Sequence, residues 1–576
     1  MNQIVIHDAN RKQWLKFQQP SQVIEANCLA AVSSRWQLVN ELVQKNQLYA
    51  AGFISYESSS AFDSSLVTHK NTSFPLLWFG LYEKPEIIKL PDYCANYTLN
   101  WQPSISQESY HRAISQIKDY IAHGETYQVN YTMKLLADFT ESPWEYFLQL
   151  VKAQQADYSA YIDLEELTIC SASPELFFSR DRDLITTRPM KGTSARGYTC
   201  DRDLALAKWL HNSEKNRAEN VMIVDMIRND LAKIAQLNSI NVSSLFQVEK
   251  YPSLWQMTST VTAKTRASVT DIMKAMFPCA SITGAPKPRT MEIIRELETQ
   301  PRNIYTGTIG LITPDNQAQF NVAIRTVAIN KKTNQAEYGV GGGIVWDSVS
   351  NNEYQECQVK AQVLTQKYPD FSLLETILWT AHEGYFLLNY HLQRLEKSAL
   401  YFGFTLDLEE IDKQLQLLAN SLADKSHKVR LIVTKEGRIH CEAIPLCLSE
   451  LLLSQPVKLC LADTPIDLHN PFIYHKTTNR EIYNNILKFY PDYKDVLLWN
   501  EREEITETCL ANIVVELNDE LLTPPVDSGL LAGTFRAHLL AEHKIKEAVI
   551  RKEDLLQCRN IYVINSVRKW RDAFLL

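Results

Sequence analysis

The 576-residue sequence has 11 cysteines but no C-x-x-C pair, which excludes the usual spacings of a structural zinc site and of a dithiol redox motif. Scattered thiols of this kind suit a reducing compartment, and a cytoplasmic location is expected. Apolar runs of about 18 residues are lacking, so no membrane span is expected. The opening segment, MNQIVIHDANRKQW, lacks the basic stretch and apolar core of a secretory signal. Runs of like charge are also missing, and a net charge of −8 offers no basic footprint for nucleic acid or an anionic membrane. No repeat or low-complexity tract is visible.

What is there is ordinary soluble composition, with 45% hydrophobic and 22% charged residues, in a chain too long for one core. A seam lies at QKYPDFSLLET. Before it, NNEYQECQVKAQVLTQK reads as a closing helix; after it, FSLLETILW reads as an opening strand, with Pro369 in the turn. The expected organisation is a domain over 1–365, a linker over 366–372 and a domain over 373–576. Strand-like runs such as SAYIDLEELTICSASPELFFS and QFNVAIRTVAIN alternate with helical ones such as CDRDLALAKWLHNSEKNRAENVMIVDMIRNDLAKIAQ, so the class is α/β or α+β.

The stretch RPMKGTSARG holds Lys191 between Pro189 and Gly192, a loop geometry that either aims an amine into a pocket or leaves it solvated. In KNRAENVMIVDMIRNDL, Glu219 shares a helical stripe with Met222, Ile223 and Met226. A carboxylate on that face needs a proton, a cation or the helix rim. Glu353 and Glu356 lie three apart on one helical face with Lys360 a turn later. The pair suits a hard cation, as it would a solvated surface. Gly341, Gly342 and Gly343 permit close approach of backbone amides to an anion, or a tight turn.

SASPELFF, RPMKGT, KNRAENVMIVDMIRNDL, FPCASITGAPKPRTMEII, YTGTIG, FNVAIRT, GGGIVWDS and EYQECQVKA follow one another in an order that resembles the chorismate-utilising enzymes, over roughly residues 50–365. The resemblance implies that family's fold, large antiparallel sheets flanked by helices, and chorismate as substrate. It implies Mg²⁺ on Glu219, Glu353 and Glu356, and substrate contacts from Thr193, Arg325, Gly342 and Lys360. Glu175 would be the acid that helps the C4 hydroxyl leave. P-x-K-G-T resembles the aminodeoxychorismate synthases, where the lysine at the position of Lys191 attacks C2; anthranilate synthases carry alanine there. Mg²⁺ and Arg188 are expected to help burial keep that amine neutral. Gln128 stands where water-using relatives tend to have a lysine, and Gln256 where many have a histidine. Glu214 and Asn216 differ from the two acids common in anthranilate synthases. No cysteine sits in a glutaminase elbow, so the resemblance implies a separate glutamine amidotransferase subunit.

After the seam, Arg394 on a helix, Lys476 beside His475, Glu507 five before Asn512, Gly533 and Thr534 at a helix start, and Asn565 and Ser566 after an apolar strand resemble class IV, fold-type IV pyridoxal-phosphate enzymes. The resemblance implies a two-subdomain fold, Lys476 as the Schiff-base lysine, Glu507 on the pyridine nitrogen, and Arg394, Thr534 and Ser566 on the phosphate. It implies a homodimer through this domain, and either a 4-amino-4-deoxychorismate lyase or an aminotransferase. An idle docking domain, or an anthranilate synthase in the first domain, are the remaining alternatives.

Overall fold

The computed structural model describes residues 2–70, 73–92, 97–365, 369–422, 425–446 and 455–576. Part of the expected linker, 366–368, lies outside the described residues. The chain divides into two compact units, Met1–Arg196 with Leu206–Tyr368, and Gly197–Ala205 with Pro369–Leu576.

In the first unit two antiparallel sheets, each of ten strands among the described residues, supply the frame. Their strands read as the alternating and continuous apolar runs of the sequence. Ile4, Phe17, Phe53, Ile162 and Ile309 from both sheets form one buried cluster, the expected result of strands that are apolar on more than one face. Helices cover the other faces. Leu29–Asn46, Glu214–Ala232 and Val269–Met276 close over the second sheet through Val32, Trp36, Ile223, Ile227 and Met273. Gln107–Ala122, Pro143–Gln154 and Lys287–Leu297 close over the first through Tyr110, Ile117, Phe147 and Ile293. Ser106, Ser142, Ser213 and Ser268 each cap a helix by accepting a backbone N–H, as Ser at an N-cap should.

Three local expectations are corrected. Lys191 is not in a loop: it lies in the strand Met190–Ala195, whose register against Leu254–Lys264 slips between Met190 and Thr193. Gly192, at φ +94°, absorbs that slip. The glycine triplet makes no turn; it lies inside the strand Gln335–Ile344, with Gly341, Gly342 and Gly343 opposite Thr132, Tyr131 and Asn130. On the helix Glu214–Ala232 the buried stripe is Asn220, Ile223, Val224, Ile227 and Leu231, with Met222 and Met226 only half-buried beside it. The stripe is rotated because Asn220 is drawn in by Ser259, whose hydroxyl donates to its side-chain oxygen at 2.5 Å.

The second unit has a four-stranded antiparallel sheet, in which Leu373–Thr380 and His427–Val433 are central, backed by helices Leu388–Phe402 and Leu408–Asn420. Its second sheet has eight strands among the described residues, mixing parallel and antiparallel pairs around Val457–Leu461 and Lys569–Leu575. No helix among the described residues is long and apolar enough to cross a membrane.

Trp36 is fully buried and packs against Phe79 and Phe320, with ring centroids at 5.1 and 6.0 Å. Trp36→Ala should therefore cost about 3–5 kcal/mol, read as a lowered denaturant midpoint at an unchanged m-value. A loss within about 0.5 kcal/mol would mean that the cluster repacks freely.

Candidate active site

In the first unit the slipped strand, the glycine strand and the helices Glu214–Ala232 and Ser350–Ala361 wall a single cavity. Glu175, Lys191, Thr193, Glu219, Arg325, Glu353, Glu356 and Lys360 all line it. The wall passes through Gly341 and Gly343; a methyl group on Gly342 would come within 3.3 Å of Glu353 Oε2. A Cβ on Gly343 would lie 2.7 Å from Lys191 Nζ and 2.1 Å from Gln128 Nε2. The missing side chain is thus the space that the amine occupies.

Burial lowers the pKa of Lys191, and the neighbouring Lys360 pushes the same way, whereas Glu219 and Glu175 oppose them. Arg188, expected to help, instead pairs with Glu249. Its role falls to Lys360, whose ammonium is 2.6 Å from Glu356 Oε1 and donates to the Gly341 carbonyl at 2.8 Å. Burial also pushes Glu175 up to about 7, despite a 2.6 Å hydrogen bond donated by Ser281 Oγ. A carboxyl poised there holds or gives a proton near neutrality. Arg325, at φ +51°, donates to the Lys360 carbonyl, which Tyr338 OH also reaches at 3.0 Å.

Of the groups that hold the lysine strand, sequence reasoning missed Asn220 and the hydrogen bonds made by Gln256. Gln256 Nε2 donates to the Gly192 carbonyl at 2.8 Å, and Gln256 Oε1 accepts from Thr193 Oγ1 at 3.2 Å. Asn220 reaches the Lys191 carbonyl at 3.5 Å. Gln128 is fully buried, and among the described residues neither end of its carboxamide has a hydrogen-bond partner. A buried amide in that condition calls for a partner from outside the chain or an internal water.

The three carboxylates expected to bind Mg²⁺ share the cavity wall, and burial raises Glu219 and Glu353, while Lys360 lowers Glu356. Among the described residues no three His, Cys, Asp or Glu side chains are gathered as a metal-binding group. By chemistry the donors suit a hard divalent cation, which would relieve their desolvation in competition with the Glu356–Lys360 ion pair.

In the second unit, Lys476 lies just after the turn Pro471–Ile473, and its carbonyl accepts from Leu374 N at 3.1 Å. Burial, reinforced by Arg394, pushes its amine down to about 8. Burial pushes Glu507 up to about 8 as well. Among the described residues its carboxyl accepts hydrogen bonds from neutral groups, including Tyr483 OH at 2.9 Å and Asn512 Nδ2 at 3.1 Å. A protonated pyridine nitrogen is the partner such an acid lacks, so these residues fit pyridoxal phosphate. Arg394 forks onto Glu375 and also donates to the Ala532 carbonyl at 3.1 Å. Thr534 opens the helix Thr534–Ala541. Ser566 follows the strand Asn560–Asn565 and donates to the Thr376 carbonyl at 3.4 Å.

Residues 89–366 match the chorismate binding enzyme family, and residues 372–573 match amino-transferase class IV. The second fold implies pyridoxal phosphate. Aminodeoxychorismate synthase component 1 of Escherichia coli strain K12 is 40% identical over 295 residues, covering 51% of this chain and 63% of that protein. Anthranilate synthase component 1 1 of Haloarcula marismortui is also 40% identical, over 266 residues, covering 46% of this chain and 54% of that protein. The chain thus spans less than two thirds of the length of these relatives. Anthranilate synthase component I from Streptococcus pneumoniae TIGR4 superposes with a TM-score of 0.52 at 25% identity, covering 64% of this chain and 90% of that structure. Equal identity to two named enzymes leaves the choice of reaction to individual cavity residues.

Borohydride reduction in the presence of pyridoxal phosphate should label Lys476 at neutral pH, because burial holds its amine near 8. Peptide mapping reads the site. Labelling spread over surface lysines, undiminished in Lys476→Ala, would contradict the geometry.

Proposed function

We propose that the chain makes 4-aminobenzoate from chorismate in two steps, one in each unit. The carrying observation is the buried Lys191 amine, seated against Gly343 in the same cavity as Glu175. In the first step that amine attacks C2 of chorismate as the C4–O bond breaks, and Glu175 gives its proton so that water leaves. Ammonia then bonds to C4 and the C2–N bond to Lys191 breaks, returning a neutral amine. The new ammonium hands a proton back to Glu175, leaving 4-amino-4-deoxychorismate. Arg325 and Lys360 suit the carboxylates of a small dianion, as fork and point charge respectively. Thr193 and the backbone around Gly342 complete the substrate contacts. Glu219, Glu353 and Glu356 would hold Mg²⁺, which adds charge stabilisation for the departing oxygen and a substrate carboxylate. The orphaned Gln128 carboxamide favours ammonia, which it can orient without taking its proton as a lysine amine would. The ammonia would come from a separate glutamine amidotransferase subunit.

In the second unit pyridoxal phosphate would supply an electron sink. Lys476 would hold it and, once displaced by the substrate amine, take the C4 proton. Glu507 would hold the proton at the ring nitrogen, and Arg394, Thr534 and Ser566 would bind the phosphate. Loss of the enolpyruvyl group as pyruvate then completes an aromatic ring, which drives the step. The C-terminal unit is also the proposed site of homodimerisation.

The first test incubates the chain with chorismate, Mg²⁺, pyridoxal phosphate and ammonium and identifies the product. 4-Aminobenzoate with pyruvate is expected. Accumulated 4-amino-4-deoxychorismate would sink the lyase, a requirement for a keto acid would make the second unit a transaminase, and anthranilate would overturn the role of Lys191. Lys191→Ala should lose 4-aminobenzoate formation by on the order of 10³-fold or more. Because Glu175 must hold its proton, kcat/KM for chorismate should fall as pH rises through about 7. That limb should disappear in Glu175→Gln.

A further inference from the structure

The cofactor-phosphate groups Arg394 and Thr534 are joined by two residues that sequence reasoning did not single out. Glu375, on the strand Leu373–Thr380 and 1% exposed, accepts from Arg394 Nε at 2.8 Å, Arg394 Nη2 at 2.6 Å and His391 Nδ1 at 2.6 Å. His391, on the helix Leu388–Phe402 and fully buried, places Nε2 at 3.3 Å from Thr534 Oγ1. The chain Arg394–Glu375–His391–Thr534 is therefore continuous, drawn from two helices and one strand.

Counting protons along this chain leaves two states. Burial opposes a charge on Glu375, but the Arg394 guanidinium outweighs it and holds the carboxyl at about 2. An ionised carboxylate only accepts, so His391 Nδ1 must carry a hydrogen. In a neutral imidazole Nε2 is then an acceptor, and the Thr534 O–H is spent on it. Thr534 would turn only lone pairs toward an incoming anion. In the imidazolium, Nε2–H donates to Thr534 Oγ1, and the hydroxyl hydrogen is free for an anion's oxygen. Four groups face His391: Glu375 from the neighbouring strand, Arg394 one turn on, Lys476 from the chain segment before Glu481–Phe489, and Thr534. Burial leads in lowering its pKa, with Arg394 and Lys476 acting the same way against Glu375. A dianionic phosphate placed at Arg394 and Thr534 opposes that lowering, since it attracts a proton to neutral groups near it, and His391 is the one hydrogen-bonded to Thr534.

We propose that binding of a cofactor phosphate is coupled to uptake of a proton by His391, which converts Thr534 from a donor to histidine into a donor to phosphate. Glu375 is the positioning residue of this device: it fixes the tautomer of His391 and the fork of Arg394 together. The proposal rests on the cofactor reading of the second unit given above.

The test uses the cofactor-free full chain and two vitamers, pyridoxal 5′-phosphate and pyridoxal, at about pH 8, where a phosphate monoester is already dianionic. Calorimetric titration in two buffers of different ionisation enthalpy counts the protons exchanged. Any change at Lys476 is common to both vitamers and cancels in the difference. The phosphate form should take up about one proton more per site than pyridoxal. Its affinity should weaken toward about tenfold per unit of rising pH, with that of pyridoxal following a flatter course. Thr534→Val and His391→Gln should each remove the extra proton and the steeper pH dependence. The wild-type proton count stands as a test even where a variant does not fold. Tight, phosphate-dependent binding with no difference in proton count would overturn the proposal and leave the cofactor site standing. Equal affinity for both vitamers, or binding of neither, would overturn the phosphate site and the proposal together.

Discussion

A lysine amine pressed against a backbone with no side chain is the contact around which the first unit is arranged. A side chain at Gly343 would crowd Lys191 Nζ and Gln128 Nε2, and burial lowers the pKa of the amine against the neighbouring carboxylates. The strand slip at Gly192, the carboxamide of Gln256 on the Gly192 carbonyl and the serine–asparagine contact behind Lys191 all serve that placement. Removing an ammonium from water is costly unless it loses its proton or meets a carboxylate. Here both routes are present, in Glu219 and Glu175, and the low local polarity makes each matter more than it would at a surface.

The second unit uses the same physics with the opposite sign in one member. Lys476 and Glu507 are both driven toward their neutral forms, the first to about 8 from above and the second to about 8 from below. Neither has an opposite charge in hydrogen-bond contact. Glu375 differs: with Arg394 and His391 upon it, it stays ionised although it is just as deeply buried. Two buried glutamates in one unit are thus shifted in opposite directions, because one has a guanidinium beside it and the other a tyrosine and an amide.

Much of this was legible in the sequence wherever function depends on residue type in fixed order. The cavity residues Glu175, Lys191, Glu219, Arg325, Glu353, Glu356 and Lys360 come from five separate motifs and converge on one wall system. The helix start at Thr534 was legible too, from Gly533. What failed was local geometry that depends on pairing partners. Glycine in triplicate signals turns by propensity, yet its ten-residue strand is held by the long strand Gln128–Asp138. Pro189 and Gly192 suggested a loop, whereas the edge of a sheet tolerates both where the register breaks. Glu375 and His391 gave no signal because neither sits in a recognisable motif, and only the fold brings them to Arg394 and Thr534.

The glycine strand also bears on how such a cavity can change over generations. A wall made of main chain presents peptide groups that every amino-acid replacement at that position retains. Point mutation can crowd this wall but cannot give it a new functional group without displacing Lys191 or Glu353. A side chain that changes which nucleophile is accepted is therefore more readily placed on the other walls, at positions such as 191 and 256.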